Sequence, residues 1–412
     1  MTYVIVGAGP AGVAAADTLR EADASGDIVL VSGEPEPPYS RMAIPYYLEE
    51  NIAEEGTYLR IDPNHYEDRN IRYLQARARS VDIEGGTLAL EGADNLPFTK
   101  LLVATGASPI KPPVAGLDLP GVHHCWTLED IRNIKELAAE GADVVLVGAG
   151  FIGCIILESL VKRGVNLTVV EAESRMVPRM MSDMGGTMIK KWCETKGVRV
   201  FTSTRVNAIE EADDGLMVAL DNGETVPAKL VVVAAGVRSN TDFLEGSGVE
   251  LDNGIVVDDH LKSSVDTVYA AGDCARGPDF MGGWDVHAVQ PTSVEHGRIA
   301  ALNMAGGDFA YQGSLSMNVL DTAGLISTSF GRWDGVEGGD MVEDADEDKF
   351  RYTRLVFDGD LLVGSLTLGR TDFVGVLRGL IQARIHLGPW KEKLMQDPGR
   401  VFEAYVGCTR LL

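Results

Sequence analysis

Two glycine-rich runs, Gly7-Ala8-Gly9-Pro10-Ala11-Gly12 and Gly148-Ala149-Gly150-Phe151-Ile152-Gly153, stand about 140 residues apart, each directly after an apolar stretch. The spacing suits a pyrophosphate cradle. The first glycine permits a tight turn, the second lets backbone approach phosphate, and the third lets a helix pack close to a strand. The N-terminus of that helix then faces the phosphate charge. An acid follows each run, Glu34 and Glu171, at 27 and 23 residues from the first glycine. At that distance a carboxylate can hold ribose hydroxyls. One such run is explained equally well by an ordinary tight turn, and each acid by a solvated glutamate at a strand end. Two complete sets in one chain predict two dinucleotides on one polypeptide.

The elements that must position these groups are legible around them. Tyr3-Val4-Ile5-Val6 and Val144-Val145-Leu146-Val147 read as buried parallel strands before each run, and Ile28-Val29-Leu30-Val31 and Leu167-Thr168-Val169-Val170 as the strands leading to each acid. The segment 34–41 is too proline-dense for helix or central strand and is expected to be a loop crossing a cofactor. A strand ending Ala104-Thr105-Gly106 precedes Pro109, Pro112 and Pro113, which mark a crossover. Its echo, a strand ending Ala234-Ala235-Gly236, predicts two similar lobes. The strand ending Ala270-Ala271-Gly272-Asp273 and a helix over about 292–304 return the chain to the first lobe. The remainder mixes short strands near 352–357 and 361–366 with a helix over 372–387, and the acidic stretch 340–348 reads as a mobile loop. The fold class is therefore α/β: two Rossmann-like lobes, the first discontinuous (1–113 and 246–315), the second inserted (114–245), plus a small C-terminal α+β domain (316–412).

Composition narrows the function. A chain of 412 residues suits two or three domains, and its 45% hydrophobic content can fill them. The net charge of −25 argues against nucleic acid. Five scattered cysteines (Cys125, Cys154, Cys193, Cys274, Cys408), with no CxxC, fit free thiols in a reducing compartment, so neither a disulfide framework nor a metal site is expected. No apolar run can span a bilayer, and Met1 leads almost at once into the first strand, so a cytoplasmic protein is expected. The charge is uneven, with nine lysines and arginines against six acids from Arg351 onward.

The two runs, Ala104-Thr105-Gly106, Ala235-Gly236-Val237 and Tyr269-Ala270-Ala271-Gly272-Asp273 occur in the order of the pyridine nucleotide-disulfide oxidoreductase superfamily, which the chain resembles over about residues 1–310. Pro38-Tyr39-Ser40-Arg41 looks most like rubredoxin reductases, the flavin part of NADH-dependent nitrite reductases, and ferredoxin reductases of the apoptosis-inducing-factor type. The resemblance implies FAD in the first lobe. Gly7, Gly9, Pro10, Ala11 and Gly12 would lie at its pyrophosphate and Glu34 at the adenosine ribose. Arg41 would lie beside the nucleotide, and Ala78, Ala104, Thr105 and Gly106 along it. Gly272 and Asp273 would hold the ribitol, and a helix entered through Gln290, Pro291 and the cap Thr292 would point at the flavin. It implies NADH in the second lobe, on Gly148, Gly150, Phe151, Ile152 and Gly153, with Gly236 at the nicotinamide end. Glu171 would repel the 2′-phosphate of NADPH, while Arg175 and Arg179 keep that option open.

Two departures matter. Members with a single active thiol carry Cys-Gly-(Leu/Ile)-Pro-Tyr-Tyr where this chain reads Met42-Ala43-Ile44-Pro45-Tyr46-Tyr47. A thioether forms no thiolate, so Met42 and Pro45 are expected to pack against the flavin and disulfide reduction is not expected. Ile155 stands where many members carry a glutamate near the nicotinamide. His287 and His296 are candidate proton relays, weighed against ordinary structural histidines.

The resulting expectation is an FAD-dependent NAD(P)H oxidoreductase passing electrons from NADH through FAD to an acceptor, without a cysteine relay. The acceptor is expected to be a rubredoxin- or ferredoxin-like carrier or a larger redox complex. A quinone or another small oxidant is the alternative, and an FAD/NADH-controlled partner-binding protein the alternative of another class. Phe373, Val376, Leu377, Leu380, Ile381 and Leu387, ringed by Arg378, Arg384, Lys391 and Lys393, could dock an acidic carrier, touch an anionic membrane, or simply cap a sheet.

Overall fold

The computed structural model describes residues 1–409 and divides into two compact units, Met1–Pro109 with Val237–Ser314, and Ile110–Gly236 with Leu315–Leu412. The core of the first is a parallel sheet ordered Val268–Ala270, Lys100–Val103, Thr2–Val6, Asp27–Ser32, Ile71–Gln75. Its central strands are continuous aliphatic runs because helices cover both faces. Helix Pro10–Ala22 buries Val13, Ala15, Ala16 and Leu19. Helix Gln290–Met304 lies so close to it that a Cβ on Gly297 would stand 2.2 Å from the Ala11 carbonyl oxygen. A small antiparallel sheet, Ala78–Asp82, Thr87–Leu90 and Leu96–Pro97, belongs to the same unit.

The second unit repeats the plan. Its parallel sheet runs Arg199–Phe201, Asn166–Val170, Asp143–Val147, Leu230–Val233, Val122–His124, with an antiparallel trio Val206–Ala212, Gly215–Leu220 and Thr225–Ala228 beside it. The same unit holds a five-stranded antiparallel sheet ordered Met317–Thr322, Leu325–Gly331, Leu361–Leu368, Arg351–Asp358, Asp340–Asp346.

Three local expectations are corrected. The acidic stretch 340–348 is not a loop: Asp340–Asp346 is an edge strand. Its carboxylates are matched by cations, Glu343 by Arg354, Asp344 by Arg370 and Asp340 by Lys391, and charge suits an edge because it discourages further pairing. The helix over 372–387 is shorter than expected: it spans only Val374–Gln382, and a separate helix, Pro389–Gln396, begins beyond the expected end. Between them Arg384 takes φ +47°, and His386 and the Leu387 amide are held by Asp360. Leu377, Leu380, Ile381 and Leu387 are buried, so most of the apolar stripe packs inward, while Phe373 stays exposed and stacks on Phe402. Lys391 pairs with Asp340 and Lys393 lies over Trp390, which disperses the expected basic ring. Finally, Thr292 is no cap. Helix Gln290–Met304 starts two residues earlier from Val289, which offers no capping side chain, and Thr292 is buried in the first turn. Among the described residues no helix is long and apolar enough to cross a membrane.

Candidate functional site

Each unit carries one glycine cradle, and the three glycines of each are required for different reasons. Gly7 has φ +109° and Gly148 φ +101°, and a Cβ there would stand 2.1 Å from the Ala104 oxygen and 2.4 Å from the Ala234 oxygen. The third glycines close the turn: a Cβ on Gly12 or Gly153 would stand 1.9 or 2.2 Å from the carbonyl oxygen of Gly7 or Gly148. A Cβ on Gly9 or Gly150 would meet nothing within 4 Å. Nothing in the protein itself forbids a side chain at these two positions, and each opens the N-terminus of a helix, Pro10–Ala22 and Phe151–Lys162. Open space above unsatisfied helix N–H groups fits a phosphate.

Around the first cradle the structure gathers residues from across the sequence. Thr105 donates its hydroxyl to the Asn240 carbonyl at 2.7 Å and Asn240 returns a side-chain amide to Thr105 at 3.0 Å, while Gly106 takes φ +65°. Gly272, at φ +77°, lies against Ala11 and Ser293. Burial raises the Asp273 carboxyl, opposed by the Ser293 hydroxyl that donates to it at 3.1 Å and by the Arg41 charge. Gln290 accepts from Ser40 at 2.5 Å. Glu34 accepts from Tyr39 and pairs with Arg41, so the proline-rich segment is folded back onto the acid. Pro291 is exposed in the first turn of its helix. Met42, 48% exposed, and Tyr46 present apolar surface that the protein leaves uncovered, next to Pro45 at the start of helix Ile44–Leu48. Ala78 opens the outer antiparallel strand and packs on the core.

In the second unit Glu171 is 7% exposed and reaches back to its own cradle, accepting the Ala149 N–H at 2.6 Å and the Glu173 N–H at 2.8 Å. Two donors leave the carboxylate further lone pairs for hydroxyls. Phe151, Ile152 and Ile155 lie half-buried on helix Phe151–Lys162, and Gly236 takes φ +108° beside Ile110. Arg175 is committed to its loop, donating to the Met181 and Pro178 carbonyls and to Asp183. It joins Arg179, Ser182, Trp333 and Arg354 in lining a cavity of about 460 Å³.

The thiols stand apart from this chemistry. Cys125, Cys154, Cys193 and Cys274 are buried and Cys408 is half-buried, all unbridged, and burial raises the pKa of each. Sequence reasoning missed Asn240, Ser293, Trp333 and Arg354, and gave Ser40 no role beyond the motif that contains it. Ser293 sits within a segment already singled out, but Asn240 carries no local signal, because its partner Thr105 is 135 residues away.

The sequence profile of the family described as pyridine nucleotide-disulphide oxidoreductase matches residues 1–297. The chain is 32% identical over 403 residues to the NADH-dependent phenylglyoxylate dehydrogenase subunit epsilon of Aromatoleum evansii, covering 96% of this chain and 95% of that one. It is 32% identical over 310 residues to a rubredoxin-NAD(+) reductase of Pseudomonas putida, covering 74% and 80%. Its fold matches the reductase in a solved covalent putidaredoxin reductase–putidaredoxin complex with a TM-score of 0.90 at 24% identity, over 99% and 98% of the two chains.

Proposed function

The chain belongs to the pyridine nucleotide-disulphide oxidoreductase family, and we propose that it is an FAD-dependent NADH oxidoreductase that hands electrons to a small redox protein without a cysteine relay. The carrying observation is the pair of cradles whose second glycines face open space. In this reading Gly7, Gly9, Gly12 and the first turn of helix Pro10–Ala22 hold the FAD pyrophosphate. Glu34 takes the ribose, Asp273 the ribitol, and the uncapped helix from Gln290 favours negative charge at its N-terminus. Gly148, Gly150, Gly153 and Glu171 hold NADH, and Glu171 disfavours a 2′-phosphate by charge. FAD, when bound, supplies the chemistry that accepts a hydride and releases electrons singly. The protein's part is to bind, orient and exclude water, and Met42 offers the flavin an apolar surface rather than a thiolate.

The acceptor in this reading is a rubredoxin- or ferredoxin-like carrier, as the names of the rubredoxin reductases indicate for those proteins. The near full-length match to a dehydrogenase subunit favours a second reading, in which the chain works inside a larger redox complex. The test is anaerobic. The purified protein is expected to be yellow, and NADH should bleach the flavin and then reduce added rubredoxin or ferredoxin. Bleaching with no transfer to either carrier would favour the complex, and a colourless protein that binds no added FAD would reject the proposal.

A further inference from the structure

In the first unit the hairpin Ala275–Pro278 with Trp284–Asp285 leads into helix Gln290–Met304, and ionisable groups are sealed beneath that junction. The side chains of Asp279 and His287 are only 6% and 8% exposed, with Oδ2 and Nε2 3.2 Å apart. That is ion-pair distance without the alignment of a hydrogen bond, and His287 Nε2 bonds to nothing else. Asp279 is held in place by its other oxygen, which accepts the Met281 N–H at 2.6 Å. Further along the helix His296 is 2% exposed, hydrogen-bonds through neither ring nitrogen, and meets Tyr311 edge-on at 4.7 Å. Burial, and then the neighbouring His287, push its pKa down to about 4. His287 thus faces Asp279 from the hairpin, with His296, held low in pKa, further along the helix and Tyr311 against it.

A carboxylate and an imidazole buried together cost desolvation energy that packing alone would not require. Their place explains it better. His287 precedes by three residues the Gln290 that is bonded to Ser40, and the same helical turn carries the Ser293 that is bonded to Asp273. We propose that His287, backed by Asp279, holds the proton that balances negative charge arriving in the first cradle. This rests on the reading of that cradle as the FAD site. With FAD bound, NADH would give up a hydride, which is two electrons and one proton, to the flavin and leave as NAD⁺, adding one negative charge in the first cradle. One further proton passes from bulk water to the His287 imidazole, and Asp279 stabilises the resulting cation. His296 cannot take that proton near neutral pH. His287 is here a positioning residue for charge, not a reacting group.

The test counts protons. The holoprotein is reduced by NADH anaerobically in weak buffer near pH 7.5 with an indicator dye, and the flavin potential is followed against pH. The wild type is expected to take up about one more proton per FAD than His287→Gln, and its potential to fall more steeply with pH by one proton per two electrons. Asp279→Asn, which keeps the imidazole and removes its counter-charge, should lose most of the same uptake and guards against a His287→Gln variant that fails to fold. Equal uptake and equal slopes in wild type and both variants, each with FAD bound and bleached by NADH, would overturn the proposal. A wild type that NADH does not bleach would instead overturn the FAD reading beneath it.

Discussion

Replacing the second and third glycines of one cradle by alanine should produce opposite phenotypes, because the two are required by different things. At Gly12 a Cβ would lie 1.9 Å from the Gly7 oxygen, a backbone atom at the close of a tight turn. Real Cβ atoms essentially never come within 3.0 Å of another atom, so helix Pro10–Ala22 must retreat by about 1 Å from the strand that it covers. Overpacking of this kind costs roughly 1–3 kcal/mol, and each kcal/mol lowers Tm by about 2–4 °C in a unit of this size. Gly12→Ala should therefore melt several degrees lower even when stripped of FAD. At Gly9 the added methyl meets nothing within 4 Å, so the stripped Gly9→Ala protein should melt like wild type. It should bind FAD at least tenfold more weakly, a loss of about 1.4 kcal/mol or more, since the methyl takes the space that the pyrophosphate needs. Differential scanning fluorimetry of stripped protein and fluorescence titration with FAD separate the two effects. A stripped Gly9→Ala that melts as low as Gly12→Ala, or that keeps wild-type FAD affinity, would refute the reasoning.

Glu171→Gln should raise the KM for NADH several-fold and leave FAD content unchanged, because the carboxylate serves only the second cradle; steady-state kinetics and the flavin spectrum check this. His296 should make the protein acid-sensitive. Its pKa drops from 6.5 to about 4 on folding, so below pH 6.5 the unfolded chain binds a proton that the folded one refuses, and stability is lost as pH falls toward 4. Tm measured from pH 7 to 4.5 should fall less steeply in His296→Gln than in wild type, and identical slopes would assign the sensitivity elsewhere. Alkylation of the native protein should reach Cys408 first, the other four thiols being buried. It should leave NADH-to-ferricyanide activity largely intact, and activity lost in step with one thiol would restore a cysteine relay.

The parallel sheets were readable because a strand covered on both faces must be apolar throughout, as Tyr3 to Val6 and Val144 to Val147 are, and because a glycine punctuates its end. The edge strand Asp340–Asp346 was not readable, since on a sheet edge charge replaces alternation and the composition then matches that of a loop. The C-terminal helix ends at Gln382, earlier than its spacing predicts, for a related reason. A helical apolar spacing continues through 383–388, but Asp360 from the preceding hairpin captures His386 and the Leu387 and Gly388 amides and breaks the run.

From the sequence alone came the two cradles, their acids, the missing thiol and the family, all of which depend on spacing over a few residues where chain geometry leaves little choice. The tertiary structure decided what each side chain is free to do. It bound Arg175 to its own loop and Glu34 to Arg41, and it matched Thr105 to Asn240. It also buried Asp279 against His287 next to the helix that reaches the first cradle. These are contacts between distant segments, selected by the packing of whole helices and sheets. No local pattern records them, because the energy that holds each pair together belongs to the folded core and not to the stretch of chain on which either partner lies.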